Sequence, residues 1–86
     1  MEKLELVTKI NQVLADEFEV AQDAIAPEAV VKTTLNLDSL SLVDMVSIIE
    51  SEFGVKIKAT DLASIKTFEQ LYDFIFDNMR HFENLG

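Results

Sequence analysis

The 86-residue sequence contains no cysteine and no tryptophan, and only two glycines, one proline and one histidine. Without cysteine there is no disulfide framework, no thiolate nucleophile, no thiolate-held metal and no thioester chemistry on the chain's own side chains. Cations are scarce too: 7 Lys and Arg stand against 16 Asp and Glu, for a formal charge of −9. Nucleic-acid backbones are held by clustered cations, so a nucleic-acid partner is excluded. No segment approaches the roughly 20 apolar residues of a membrane span, and the opening "MEKLELVTKI" has no basic-then-apolar signal pattern, which makes the expected location cytoplasmic.

What is present is a chain that is 49% hydrophobic, too apolar to stay disordered. Its length suits a single domain over residues 1–86, with a thin core. A strongly acidic surface serves solubility, and it also steers encounters with basic partner proteins. Self-repulsion at this charge favours a monomer.

Periodicity predicts an all-α fold, a four-helix bundle of three long helices and one short, with a long loop between the first and second. Residues 4 to 18 set Leu4, Val7, Ile10, Leu14 and Phe18 at helical spacing, with Leu6 and Val13 at the flank. Residues 19 to 37 hold Pro27 and the β-branched run "VVKTTLNL", and read as a loop packed by its own apolar side chains. The second helix begins at Ser39 or Leu40, capped by Asp38, and stops at Gly54. Thr60 to Ser64 form a short helical turn. "TFEQ", Thr67 to Gln70, is a capping box opening the last helix, with Phe68, Leu71, Tyr72, Ile75, Met79 and Phe82 on its inner stripe and Asp73, Asp77 and Arg80 outside. A rival assignment makes "VVKTTLNL" and "VKIKA" two parallel strands, but such a sheet leaves both edges open.

At about 100° per residue, the second helix carries two faces. Leu42, Met45, Val46, Ile49 and Phe53 form a core stripe. Leu40, Val43, Asp44, Ser47, Glu50 and Ser51 gather on another face, centred roughly 140° away, with Ser39 at its edge. Single exposed aliphatics are ordinary. An apolar pair rimmed by carboxylates beside a capped serine suits a partner helix or groove bearing cations.

The serine itself has few catalytic options. A nucleophilic site needs a base in reach, and the only histidine, His81, falls beyond the last helical stripe near the C-terminus. No G-x-S-x-G elbow surrounds Ser39, and "NLDSLSLVD" lacks the oxygen ligands and glycine of a calcium loop. The start of a helix does offer unpaired N–H groups and a positive dipole end, which suit a phosphate attached at Ser39. The plain alternative is a serine that only begins a helix.

Taken together, Leu35-Asn36-Leu37-Asp38-Ser39-Leu40, then Val43-Asp44-Met45-Val46 and "ESEFGVKI", resemble an acyl carrier protein. The resemblance spans nearly the whole chain and implies a carrier, not an enzyme. It implies that Ser39 bears a 4'-phosphopantetheine group delivered from coenzyme A by a phosphopantetheinyl transferase, with Asp38 flanking it. By the same resemblance Asp38, Leu40, Val43, Asp44 and Glu50 form the recognition surface, which the helical wheel extends to Ser47. The partners implied are the transferase and acyl-transferring and acyl-modifying enzymes with basic docking patches, acting in fatty-acid, polyketide or other specialised acyl biosynthesis. The core stripe, with apolar residues of the first and last helices, lines the space for an acyl chain in this picture. Departures from the family pattern are Asn36 for a usual glycine, Ser41 for a frequent acid, Lys56, Lys58 and Ala63 near the short helix, and no proline after Ile57. Two other readings remain: an unmodified acidic helical adaptor for a basic partner helix, and an aminoacyl carrier.

Overall fold

The computed structural model describes residues 2–85, with side chains described through Met79. Five α-helices follow one another: α1 (Lys3–Glu17), α2 (Val31–Thr34), α3 (Ser39–Phe53), α4 (Ala59–Ser64) and α5 (Phe68–Leu85), with a 3₁₀ turn at Gln22–Ala24. The all-α bundle of three long helices is as expected. The short helix is α4, and the long first loop carries two further helical turns, one of them α2. Among the described residues there is no strand; the rival sheet reduces to one isolated bridge between Val30 and Thr67.

Each helix end follows from local chemistry. The Asp38 carboxylate accepts the Ser41 N–H at 2.8 Å, which closes the first turn of α3. Gly54 ends that helix with φ +68°, in the left-handed region, and its N–H donates to the Glu50 carbonyl at 2.9 Å. Asp61 accepts the Lys58 N–H at 3.1 Å at the start of α4. Gln70 accepts the Thr67 N–H at 3.1 Å while its own N–H donates to the Thr67 hydroxyl at 3.4 Å, the reciprocal box expected there. At α1 the Val20 N–H reaches back to the Ala15 carbonyl at 3.0 Å, with Glu19 at φ 55° where glycine is the usual residue.

The loop is fixed by the helix it precedes in space. N–H groups in the first turn of a helix have no partner within it. At α5, those of Phe68 and Glu69 donate to the carbonyls of Ala29 (3.1 Å) and Pro27 (2.9 Å), while the Val31 N–H donates to the Lys66 carbonyl at 2.9 Å. The loop and the start of α5 thus satisfy each other, and α2 begins at that clasp.

One core joins every element. Leu6, Ile10, Leu14, Met45, Ile49, Phe68, Leu71 and Ile75 are its most buried large side chains, and no side-chain polar atom among the described residues is buried without a partner. Lys3 bonds Asp73 and Tyr72 donates to Asn11, tying α1 to α5. Burial pushes the Tyr72 phenol above its ordinary value, against the opposing Asn11 contact. The Lys9 ammonium lies 5.5 Å from the Phe53 ring centre, a cation–π contact between α1 and α3.

One expected core residue is misplaced. Leu4 is 77% exposed, while Leu6 is fully buried. The seam of α1 runs Leu6, Ile10, Leu14, and at about 100° per residue Leu4 lies about 120° from Ile10. The stripe of α5 is as expected through Met79; the side chains of Arg80, His81 and Phe82 lie outside the described residues.

An 86-residue chain at this scale has about 4 to 13 kcal/mol of total stability. Ile49→Asp deletes a fully buried side chain and leaves an unpaired charge in its place, together costing about that total. The variant is expected to be unfolded by circular dichroism at room temperature, whereas Val43→Asp on the exposed face changes stability by no more than about 0.5 kcal/mol.

Candidate functional site

The turn into α3 is built from the residues that the sequence singles out. Asn36 adopts φ 52°, a conformation that asparagine tolerates better than most residues. Its N–H donates to the Thr33 carbonyl and the Leu37 N–H to the Lys32 carbonyl, folding the chain back from α2. Leu35 is buried and Leu37 half-buried, so two apolar anchors hold the turn on either side of the strained residue.

Asp38 is exposed, and its carboxyl is held below its ordinary value of 3.8 first by the Ser41 backbone N–H and then by the Ser41 hydroxyl. Ser39 follows as the first residue of α3, exposed to solvent. Its hydroxyl makes no hydrogen bond among the described residues. Asp38 faces its task as a cap, not a base: its bonds go to Ser41. No group of three or more His, Asp or Glu side chains converges as a metal site among the described residues.

Below Ser39 the exposed face of α3 is as the helical wheel expects. Leu40 is 78% and Val43 62% exposed, and Asp44, Ser47, Glu50 and Ser51 are exposed as well. The opposite stripe is inside, with Met45, Ile49 and Phe53 buried and Leu42 and Val46 half-buried. Glu50 lies in the last turn of α3, where no cation stands. A helix C-terminus is negative and disfavours an acid by tenths of a kcal/mol, so this placement opposes helix stability.

The wheel did not reveal the hollow beside this helix. A cavity of about 150 Å³ lies between α2, α3 and α4, lined by Val31, Lys32, Leu42, Met45, Ala59, Leu62, Ala63 and Ile65. This cavity next to the core stripe is walled by the loop helix and the short helix. The apolar spacing of Leu62 and Ile65 was a signal for it; Val31 and Lys32 reach it only because the loop is clasped to α5.

The sequence model of the family described as "Phosphopantetheine attachment site" matches residues 8–75. An acyl carrier protein of Thermosynechococcus vestitus is 35% identical over 87% of this chain and 93% of its own length. Those of Petrotoga mobilis (35% identical, 92% of this chain, 93% of that one) and Saccharopolyspora erythraea (32%, 90% and 81%) are similar to the same extent.

The chain belongs to the acyl carrier protein family.

An acyl carrier protein works as a carrier rather than as a catalyst. The prosthetic group of the family is phosphopantetheine, and the residues present fit it. The group needs a solvent-facing hydroxyl, and the helix start offers one at Ser39 that is engaged by no neighbour among the described residues. Among the described residues no helix is long and apolar enough to cross a membrane.

The cap is testable by pH. Because folding lowers the Asp38 pKa, its contribution is fully present above 3.8 and is lost as pH falls through the lower folded value. The Ser41 amide signal in NMR is expected to titrate with a midpoint below 3.8. Asp38→Asn, an equally good cap that does not ionise, is expected to abolish that titration while keeping the helix start; a wild-type midpoint at or above 3.8 would contradict the assignment.

Proposed function

We propose that Ser39 is the attachment point of the phosphopantetheine group, and that the chain presents acyl thioesters to enzymes docking on the exposed face of α3. The observation that carries this reading is the Ser39 hydroxyl: exposed, unengaged among the described residues, and set at the start of a helix whose N–H dipoles favour a phosphate. The group supplies a terminal thiol on a flexible arm, the thioester chemistry that a cysteine-free chain lacks, and keeps the cargo locally concentrated.

Everything else in the task falls to the chain's own residues. Asp38 holds the first turn shut, so Ser39 keeps one position for a phosphopantetheinyl transferase that takes the group from coenzyme A. Since no described side chain engages the Ser39 hydroxyl, the base that removes its proton belongs to the transferase. Leu40 and Val43 offer a small apolar contact, and Asp44 and Glu50, with Ser47 between them, meet the basic patches of acyl-transferring and acyl-modifying enzymes. A small electrostatic contact releases its partner quickly, as a carrier must. The cargo is a fatty or related acyl chain: a 150 Å³ apolar cavity begins at Leu42, one turn from Ser39. A cavity of that size accommodates roughly six carbon atoms, the size of benzene. Fatty-acid synthesis or a related acyl pathway follows as the setting, with the chain acting as a monomer.

Incubation with coenzyme A and a broad-specificity transferase is expected to raise the intact mass by one phosphopantetheine, and Ser39→Ala to prevent it. An unchanged mass beside a control carrier that loads would favour the adaptor reading, and loading of Ser39→Ala would mean a different serine.

Asp44→Lys with Glu50→Lys is expected to slow loading about tenfold at low salt, with helicity unchanged and the gap narrowing at high salt. Equal rates at low salt would remove the acidic face from the docking surface.

A further inference from the structure

The hollow at α3 does not end at its apolar walls. A second, more open groove of about 350 Å³ is lined by Val30, Lys32, Leu62, Ala63, Ile65 and Lys66. Four residues, Lys32, Leu62, Ala63 and Ile65, line both, so the two spaces adjoin. Only the inner one touches α3, through Leu42 and Met45. Lys32 therefore lines both spaces and Lys66 only the outer one, so a chain that reaches past the inner cavity comes alongside both lysine side chains.

The lysines are positioned by the same clasp that fixes the loop. The Val31 N–H donates to the Lys66 carbonyl at 2.9 Å, and the Lys66 N–H donates to Gln70 at 2.7 Å. Lys32, next to Val31, is thereby held on the same rim as Lys66. No carboxylate lines either space, and among the described residues neither lysine is engaged in an ion pair. In a chain with 16 acids and 7 basic residues, two neighbouring cations without acidic partners are conspicuous.

We infer that this cavity and groove together accept an acyl chain that carries a carboxylate at its far end, with Lys32 and Lys66 as the anion's partners. The inference rests on the carrier reading above and names its cargo more closely. About six methylenes fill the inner cavity, and the terminal carboxylate emerges in the open groove, where it stays hydrated and meets both ammonium groups. A methyl-ended chain of the same length gains nothing from the lysines. The attraction is that of exposed charges, modest and weakened by salt.

The test loads the protein from two coenzyme A thioesters, octanoyl and the monothioester of octanedioic acid, with intact mass verifying each product. At low salt the carboxylate-ended form is expected to melt about 2 to 5 °C above the methyl-ended form. NMR shifts at the Lys32 and Lys66 amides are expected to differ between the two. The gap should close at high salt and in Lys32→Ala/Lys66→Ala, and persist in Lys32→Arg/Lys66→Arg. A methyl-ended form that melts as high, or a gap that survives the alanine pair, overturns the inference and leaves the carrier reading intact. Failure of both thioesters to load the chain overturns the carrier reading, and this inference with it.

Discussion

The orientation of α3 governs the rest of the molecule. Met45, Ile49 and Phe53 are buried in the common core, and that burial fixes the rotation of the helix about its own axis. Once the stripe is inside, Leu40, Val43, Asp44, Ser47 and Glu50 have no choice but to face solvent, since they lie on the far side of the same cylinder. The cap at Asp38 fixes the other variable, the point at which the helix begins. Rotation and starting point together decide that the hydroxyl of Ser39 stands in the open beside that face.

The surface concedes some stability to function. Helix α3 has no cation in its last turn, and its C-terminal end carries Glu50 instead. Two large aliphatics stay in water on one face, where their burial would have contributed about 1.5 to 3 kcal/mol each. A small acidic domain has little stability to spare, so features that oppose folding ask for another explanation, and the proposed docking of basic partners would supply one. Polar contacts that stabilise the fold lie at the helix ends, Asp38 at α3 among them, and between α1 and α5.

The loop between α1 and α3 is structural in a way that its composition hides. Its carbonyls at Pro27 and Ala29 complete the first turn of α5, and in return the Lys66 carbonyl starts α2. This exchange carries Val31 and Lys32 to the side of α4 and walls off the hollow at Leu42 and Met45. A connection of this length is kept ordered because unpaired N–H groups at a helix start need acceptors, and the loop is where they are found.

Much of this was legible in the sequence because it depends on neighbours a few residues apart. Asp38 and Gly54 bounding α3, Thr67 and Gln70 opening α5, and the two faces of α3 all follow from residue chemistry and helical period. Leu4 went astray because a helix with apolar residues on both sides of its seam does not say which side meets its neighbours; packing against the other helices selected Leu6. The helical turn at Val31–Thr34 has poor intrinsic propensity and starts at a hydrogen bond from the Val31 N–H to the Lys66 carbonyl, some 35 residues away. The sequence by itself therefore determined where α3 starts and stops, where α5 starts, and that Ser39 stands at the mouth of α3. Only the tertiary structure decided the walls of the cavity and the pairing of Lys32 with Lys66 on one rim, because those depend on contacts between distant segments, which no local period records.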